Sequence, residues 1–216
     1  MLVIALVSKT GLPVWVPTGQ VFAHKLGVFA TDRSGHLSLL SSALHSAWAW
    51  ARSSTMKADL NYSPSDVYET FSQPELTARM DRVGEELHSV QRSVMLGRSL
   101  GLTKLYNLVH DPAVTDEEIR RLRVVHTEID YATAQAYGWD GLDLGHGCHD
   151  TRQGRRFTIA PDVQVEVLDR LLELNHERHA EEIRHSLHAK KKPKRTKNTG
   201  ERPVPDGRAE PEDILF

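Results

Sequence analysis

Residues 116–144, DEEIRRLRVVHTEIDYATAQAYGWDGLDL, decide the fold class. Ile119, Leu122, Val125, Ile129, Ala132 and Ala136 recur at helical spacing, which places one apolar stripe on a long helix. Thr115 precedes Asp116, Glu117 and Glu118, so Thr115 is the expected N-cap, and the acids suit the positive helix end. Gly138 ends the helix, and Trp139, Leu142 and Leu144 give the exit loop something to bury. Arg120, Arg121 and Arg123 are offset by Asp116, Glu117, Glu118 and Glu128. The helix therefore reads as a packing spine, expected to pair with a last helix over 161–187.

Most of the neighbouring sequence is helical too. Leu76, Met80, Val83, Leu87, Val90 and Val94 predict a helix over 75–95, and 102–110 a short one closed by Asp111-Pro112. Residues 145–154 read as a loop, followed by a strand-like RRFTIA. Toward the N-terminus, HLSLLSSALHSAWAWAR at 36–52 reads as one helix. Residues 1–31 alternate short β-rich runs with Gly and Pro turns. Such a start is either a compact three- or four-stranded unit or part of a sheet whose other strands lie on another polypeptide. Its unpaired strand edges are expected to favour association.

The expected fold class is α+β: a small N-terminal β unit, a mainly α-helical part and a disordered tail. Pro74 marks the internal boundary, giving an α+β region over 1–74, a helical segment over 75–188 and a charged tail over 189–216. The tail carries a basic block from Lys190 to Lys197, then Pro, Gly and acids, with little to bury.

Composition sets limits on function. A net charge of -2 gives no overall basic surplus of the kind a free-standing nucleic-acid binder shows. One cysteine, Cys148, excludes an intrachain disulfide and suits a cytoplasmic setting. No apolar run approaches the roughly 20 residues of a membrane span.

Candidate chemistry is sparse. The twelve histidines include the pairs His146/His149, His176/His179 and His185/His188, and GHGCHD at 145–150 adds Cys148 and Asp150. Closed metal sites usually draw paired ligands from two separated spacings, so no metal site is assigned. GxSxG, GxGxxG and the P-loop pattern are absent, and no catalytic residue is assigned. The aromatics Trp48, Trp50, Tyr62, Tyr68 and Phe71 lie near Arg52, Ser53, Ser54, Thr55 and Lys57. That mixture suits nucleic-acid contact. Packing of Trp48, Tyr68 and Phe71 between sheet and helices is the weightier reading.

The order of SSALHSAWAW, MKADLNYSPSDVYETF, GRSLGLTKLYNLVHDP, LRVVHTEIDYATAQAYGW and LLELNHERHAEEI resembles the C-terminal region of MmeI-like, type IIG/IIL restriction–modification adenine DNA methyltransferases. In that family a methyltransferase domain precedes a target-recognition domain, and a helical segment closes the protein. The resemblance runs from about Val14 to His188, although the family's tFPfP word stands here as Thr70-Phe71-Ser72-Gln73-Pro74. The glycine-rich methyl-donor motif, the NPPY-type catalytic motif and a nuclease motif are all missing from these residues. The resemblance implies a non-catalytic recognition and scaffold portion, either a split subunit or a truncated remnant. S-adenosylmethionine would bind the methyltransferase part, so no cofactor is expected here. The implied partners are double-stranded DNA and a separate methyltransferase subunit. Residue type and location pick out Lys25, Arg33, Lys57, Arg98 and Lys104 as phosphate contacts, with Ser54 and Thr55 as polar ones. The competing expectation is a helical protein-interaction module that does not touch DNA.

Overall fold

A computed structural model describes residues 1–56 and 59–185. Lys57 and the expected tail over 189–216 lie outside the described residues. The apolar start of the chain serves two sheets. Strand β1 (Leu2–Ala5) is the centre of an antiparallel sheet, between β3 (Val14–Trp15) and β4 (Leu26–Phe29). The same run continues as β2 (Val7–Ser8), which pairs with β6 (Asp59–Asn61), itself paired with β5 (Ser54–Met56). Leu6 makes the transfer: its N–H donates to the Lys25 carbonyl at 3.0 Å, and its carbonyl accepts from the Tyr62 N–H at 2.7 Å. Leu2 and Ile4 are buried in the main hydrophobic cluster.

The helix expected over 36–52 is two helices, α1 (Ser34–Ser41) and α2 (Ala43–Arg52). Ser42 breaks it with an extended ψ of 151°. Its hydroxyl donates to the Leu39 carbonyl at 2.7 Å and accepts from the His45 N–H at 3.1 Å. One serine thus closes the first helix and caps the second. A π-helical turn (Pro64–Tyr68) leads on to α3 (Ala78–Gly97). Gly84 lets α3 lie close along α1: a Cβ there would stand 2.1 Å from the Ser34 carbonyl oxygen. At the same crossing Ser38 Oγ donates to the Met80 carbonyl at 2.6 Å.

Helices α4 (Leu102–His110) and α5 (Glu117–Ala136) follow. The cap of α5 is Asp116 rather than the expected Thr115, since its carboxylate accepts the Ile119 N–H at 3.2 Å. At the other end Trp139 N–H reaches the Ala134 carbonyl and Gly138 N–H the Gln135 carbonyl, both at 2.9 Å. This is a Schellman closure, and Gly138 meets it at φ 77°. Tyr137 and Trp139 stack with ring centroids 4.5 Å apart, and Arg170 lies over Trp139 at 5.5 Å. The α5 stripe is buried, but chiefly against α3, α1 and α4. With that face covered, the last helix α6 (Pro161–Arg184) rests on α2 rather than pairing with α5.

Residues 145–154 are not a loop. Gly147–Thr151 (β7) and Gly154–Thr158 (β8) form a hairpin with Asp150 opposite Arg155. The architecture is α+β, with a small strand unit leading into a mostly helical part. One buried cluster runs from Leu2 to Leu171, across Pro74. No helix among the described residues is long and apolar enough to cross a membrane.

Candidate functional site

A groove of about 610 Å³ opens between the Lys9–Leu12 loop, α2, the β7–β8 hairpin and the first turns of α6. Its floor is a set of buried polar groups from α4 and α5. Gln91 Nε2 donates to the Tyr106 hydroxyl at 2.5 Å, and that hydroxyl meets His126 Nε2 at 2.6 Å. Since Tyr106 accepts from Gln91, its own proton goes to His126, whose Nε2 is therefore the bare nitrogen. Burial pushes the His126 imidazole down to about 4. His110 accepts the Phe157 N–H on Nδ1 at 3.1 Å, which ties α4 to the hairpin. Burial, helped by Arg156, takes His110 down to about 3. Both rings are neutral near pH 7.

Asp130 carries the one buried negative charge of this floor. One oxygen accepts the Ala43 N–H at 2.6 Å, and the other lies 2.9 Å from His146 Nε2. The carboxylate so caps α2 from another helix and orients His146.

The walls carry the cations. Arg156, on β8, is half-buried and has no carboxylate within ion-pair distance among the described residues. Burial pulls its guanidinium below the ordinary arginine range. Arg152 stands exposed at the hairpin turn, and Lys9 stands on the opposing loop. That loop is shaped by Ser8 Oγ, which accepts the Thr10 and Gly11 N–H groups at 3.0 Å each. Trp50 forms an apolar wall. Ser41 also lines the groove, only 5% exposed, and its hydroxyl has no hydrogen-bond partner among the described residues.

The sequence-predicted DNA contacts lie elsewhere. Lys25 is exposed just before β4, Lys104 is exposed on α4, and Ser54 accepts from Asn61 Nδ2 at 2.9 Å on β5 beside Thr55. Arg33 is held by Asp81 at 2.6 Å, and Arg98 by Asp116 at 2.7 Å and Glu118. None of Lys25, Arg33, Ser54, Arg98 and Lys104 lines the groove, and these five are spread over separate elements. Trp48 and Phe71 are core residues and Tyr68 is partly buried against the same cluster, as the packing reading expected; Tyr62 is buried as well, and Trp48 Nε1 donates to the Val67 carbonyl at 3.2 Å. Trp50 alone of that cluster reaches the groove. His146 and His149 turn to different partners, Asp130 and the Gly145 carbonyl. Among the described residues no group of three or more His, Cys, Asp or Glu is placed to hold a metal ion. Lys9, Arg152 and Arg156 carried no distinguishing signal beyond the basic pair beside Gly154, and reading 145–154 as a loop concealed the hairpin that presents it.

The helical layer and its groove define an α+β module with a cation-lined cleft. A solved structure shares the fold: the Type IIL restriction-modification enzyme MmeI in complex with DNA, at 17% sequence identity and a TM-score of 0.55. The match covers 83% of this chain and 21% of the MmeI chain, so this chain spans about a fifth of that protein's length. No family model matches the sequence, and no curated protein does.

Proposed function

We propose that the chain is the non-catalytic DNA-recognition and scaffold portion of a restriction–modification adenine DNA methyltransferase. The supporting observation is the fold, shared over 83% of the chain with part of an enzyme solved on DNA. The order of sequence words that resembles the same family adds to it. The methyl-donor and NPPY motifs are absent from these 216 residues, so S-adenosylmethionine and the transfer step belong to a separate methyltransferase part. In this reading Lys25 and Lys104 neutralise phosphates, Ser54 and Thr55 supply polar contacts, and Arg33 and Arg98 would have to leave their carboxylates to join them. The test is a gel-shift series with duplex DNA at low salt, with and without the methyltransferase subunit. A shift in either arm supports the reading, and no shift in both overturns it.

A second reading, a helical protein-interaction module that leaves DNA alone, draws on α6. Val165, Leu172 and Ile183 are exposed there, and their spacing of seven and eleven residues puts them on one stripe. A stable complex with the methyltransferase subunit that leaves the subunit's DNA affinity unchanged favours it.

A further inference from the structure

We infer that the groove between the β7–β8 hairpin and the Lys9–Leu12 loop is a binding site for the phosphate of a nucleotide unit. It rests on the DNA-binding reading only for the source of that phosphate.

Three observations converge there. The first is Arg156. A guanidinium that loses water on folding is normally repaid by a carboxylate or by carbonyls, as Arg123 is by the carbonyls of Leu108, Val109, Asp111 and Val114. Among the described residues Arg156 has neither, and a phosphate group is the bidentate partner its planar fork fits. Second, the acids nearby do not cancel it. Asp130 is spent on Ala43 and His146, and Asp150, which also lines the groove, stands opposite Arg155 in the hairpin register and makes no ion pair with Arg156. Lys9 and Arg152 add two more cations to the walls. Third, Ser41, which lines the groove, holds a buried hydroxyl without a hydrogen-bond partner among the described residues. A buried hydroxyl in that state costs free energy until something accepts its proton.

Size and lining extend the ligand beyond bare phosphate. A volume of about 610 Å³ falls in the range of small-molecule clefts and exceeds what one phosphate group fills. Trp50 offers a face on which a sugar or base can pack, and Thr10, Thr151 and Gln164 line the same groove. The two floor histidines do not oppose a phosphate, because His110 and His126 bring in no charge near pH 7, and the one acid of the floor, Asp130, is held by Ala43 and His146. Two sources share this chemistry: a strand of DNA, and a free nucleotide.

The experiment uses the full chain with two probes: a short fluorescein-labelled duplex read by anisotropy, and adenosine monophosphate read by calorimetry. The variants are Arg156→Gln and the double variant Arg152→Gln/Arg156→Gln, with Arg82→Gln, exposed on α3 and outside the groove, as control. Among the described residues Arg156 makes no ion pair, so its replacement breaks none, and thermal melting checks that the fold holds. Arg156→Gln is expected to weaken duplex binding about fivefold or more and to lower the salt slope by about one, the control leaving both unchanged. Duplex binding that depends on Arg156 supports the site with DNA as its source. Duplex binding indifferent to both groove variants, with no nucleotide binding, overturns the site and leaves the DNA reading standing. Arg156-dependent nucleotide binding without any duplex binding supports the site with a free nucleotide as its source. Binding of neither probe overturns the site.

Discussion

Asp130 reaches from the middle of α5 to the first residue of α2 and takes the Ala43 N–H at 2.6 Å. The contact joins residues 87 apart in sequence. It fixes where α2 begins, and its second oxygen fixes His146 at the start of the hairpin. Asp130→Ala should cost about 3–5 kcal/mol, because it leaves a helix N–H and a buried imidazole without their partner. Asp130→Asn keeps an acceptor for Ala43 and turns an amide toward His146, whose Nε2 can accept, so about 1–2 kcal/mol is expected. Urea unfolding of the three proteins measures both. An alanine variant as mild as a surface substitution would show that Asp130 does not organise this junction.

The α1–α3 contact depends on a missing side chain. A Cβ on Gly84 would sit 2.1 Å from the Ser34 carbonyl oxygen, which is backbone and cannot swing aside. Gly84→Ala is expected to destabilise by about 2–3 kcal/mol through forced separation of the two helices. Gly97 closes the same helix with nothing within 4 Å of its Cβ position. Gly97→Ala should instead stabilise by about 0.5 kcal/mol through helix propensity alone. Opposite shifts in the urea midpoint confirm the pair; equal shifts refute the close approach.

These contacts also mark what could be read from the chain and what could not. The α5 stripe from Ile119 to Ala132 was legible because a buried helix face repeats in the sequence itself, and α4 was bounded by Asp111-Pro112 for the same local reason. The break at Ser42 was not, since two adjacent serines in an apolar helix look ordinary until Asp130 arrives from far along the chain. The hairpin escaped because GHGCHD has no β-branched residue, and its strands are specified by pairing and by the turn at Gly154 rather than by propensity. The partner of α5 was mistaken because periodicity reports that a face is buried, not by what. The groove could not be read at all: it is assembled from loop, hairpin and helix segments that meet only in three dimensions.

Acid should weaken the fold before its carboxylates titrate. Burial holds His45 and His126 at about 4 and His110 at about 3, against 6.5 for a free imidazole. Above pH 6.5 all three are neutral in both states, and their contribution to stability is complete. As pH falls from there, the unfolded chain takes up protons that the folded chain refuses, so stability declines until the folded values are passed. Each such histidine contributes a slope of about 1.4 kcal/mol per pH unit inside its window. His45→Gln, which can keep bonds to the Leu40 carbonyl and the Tyr62 hydroxyl, should reduce the slope by that amount between pH 6 and about 4.5. An unchanged slope in urea titrations across this range would be the contrary result.

Arg98 is a phosphate candidate by residue type, yet it closes the end of α3 onto the start of α5. Its Nη2 donates to Asp116 at 2.7 Å and its Nε to Glu118 at 2.6 Å. The two carboxylates raise the guanidinium above its ordinary range, Asp116 most, and Arg98 in turn lowers Asp116. Asp116 is also the cap of α5, so the arginine steadies the group that starts the helix. A cation already neutralised by two acids displaces few counterions from DNA. Arg98→Gln is therefore expected to lower the melting temperature while leaving the salt slope of duplex binding unchanged. A reduced slope with an unchanged melting temperature would mean that Arg98 abandons its acids for phosphate, and would restore it as a DNA contact.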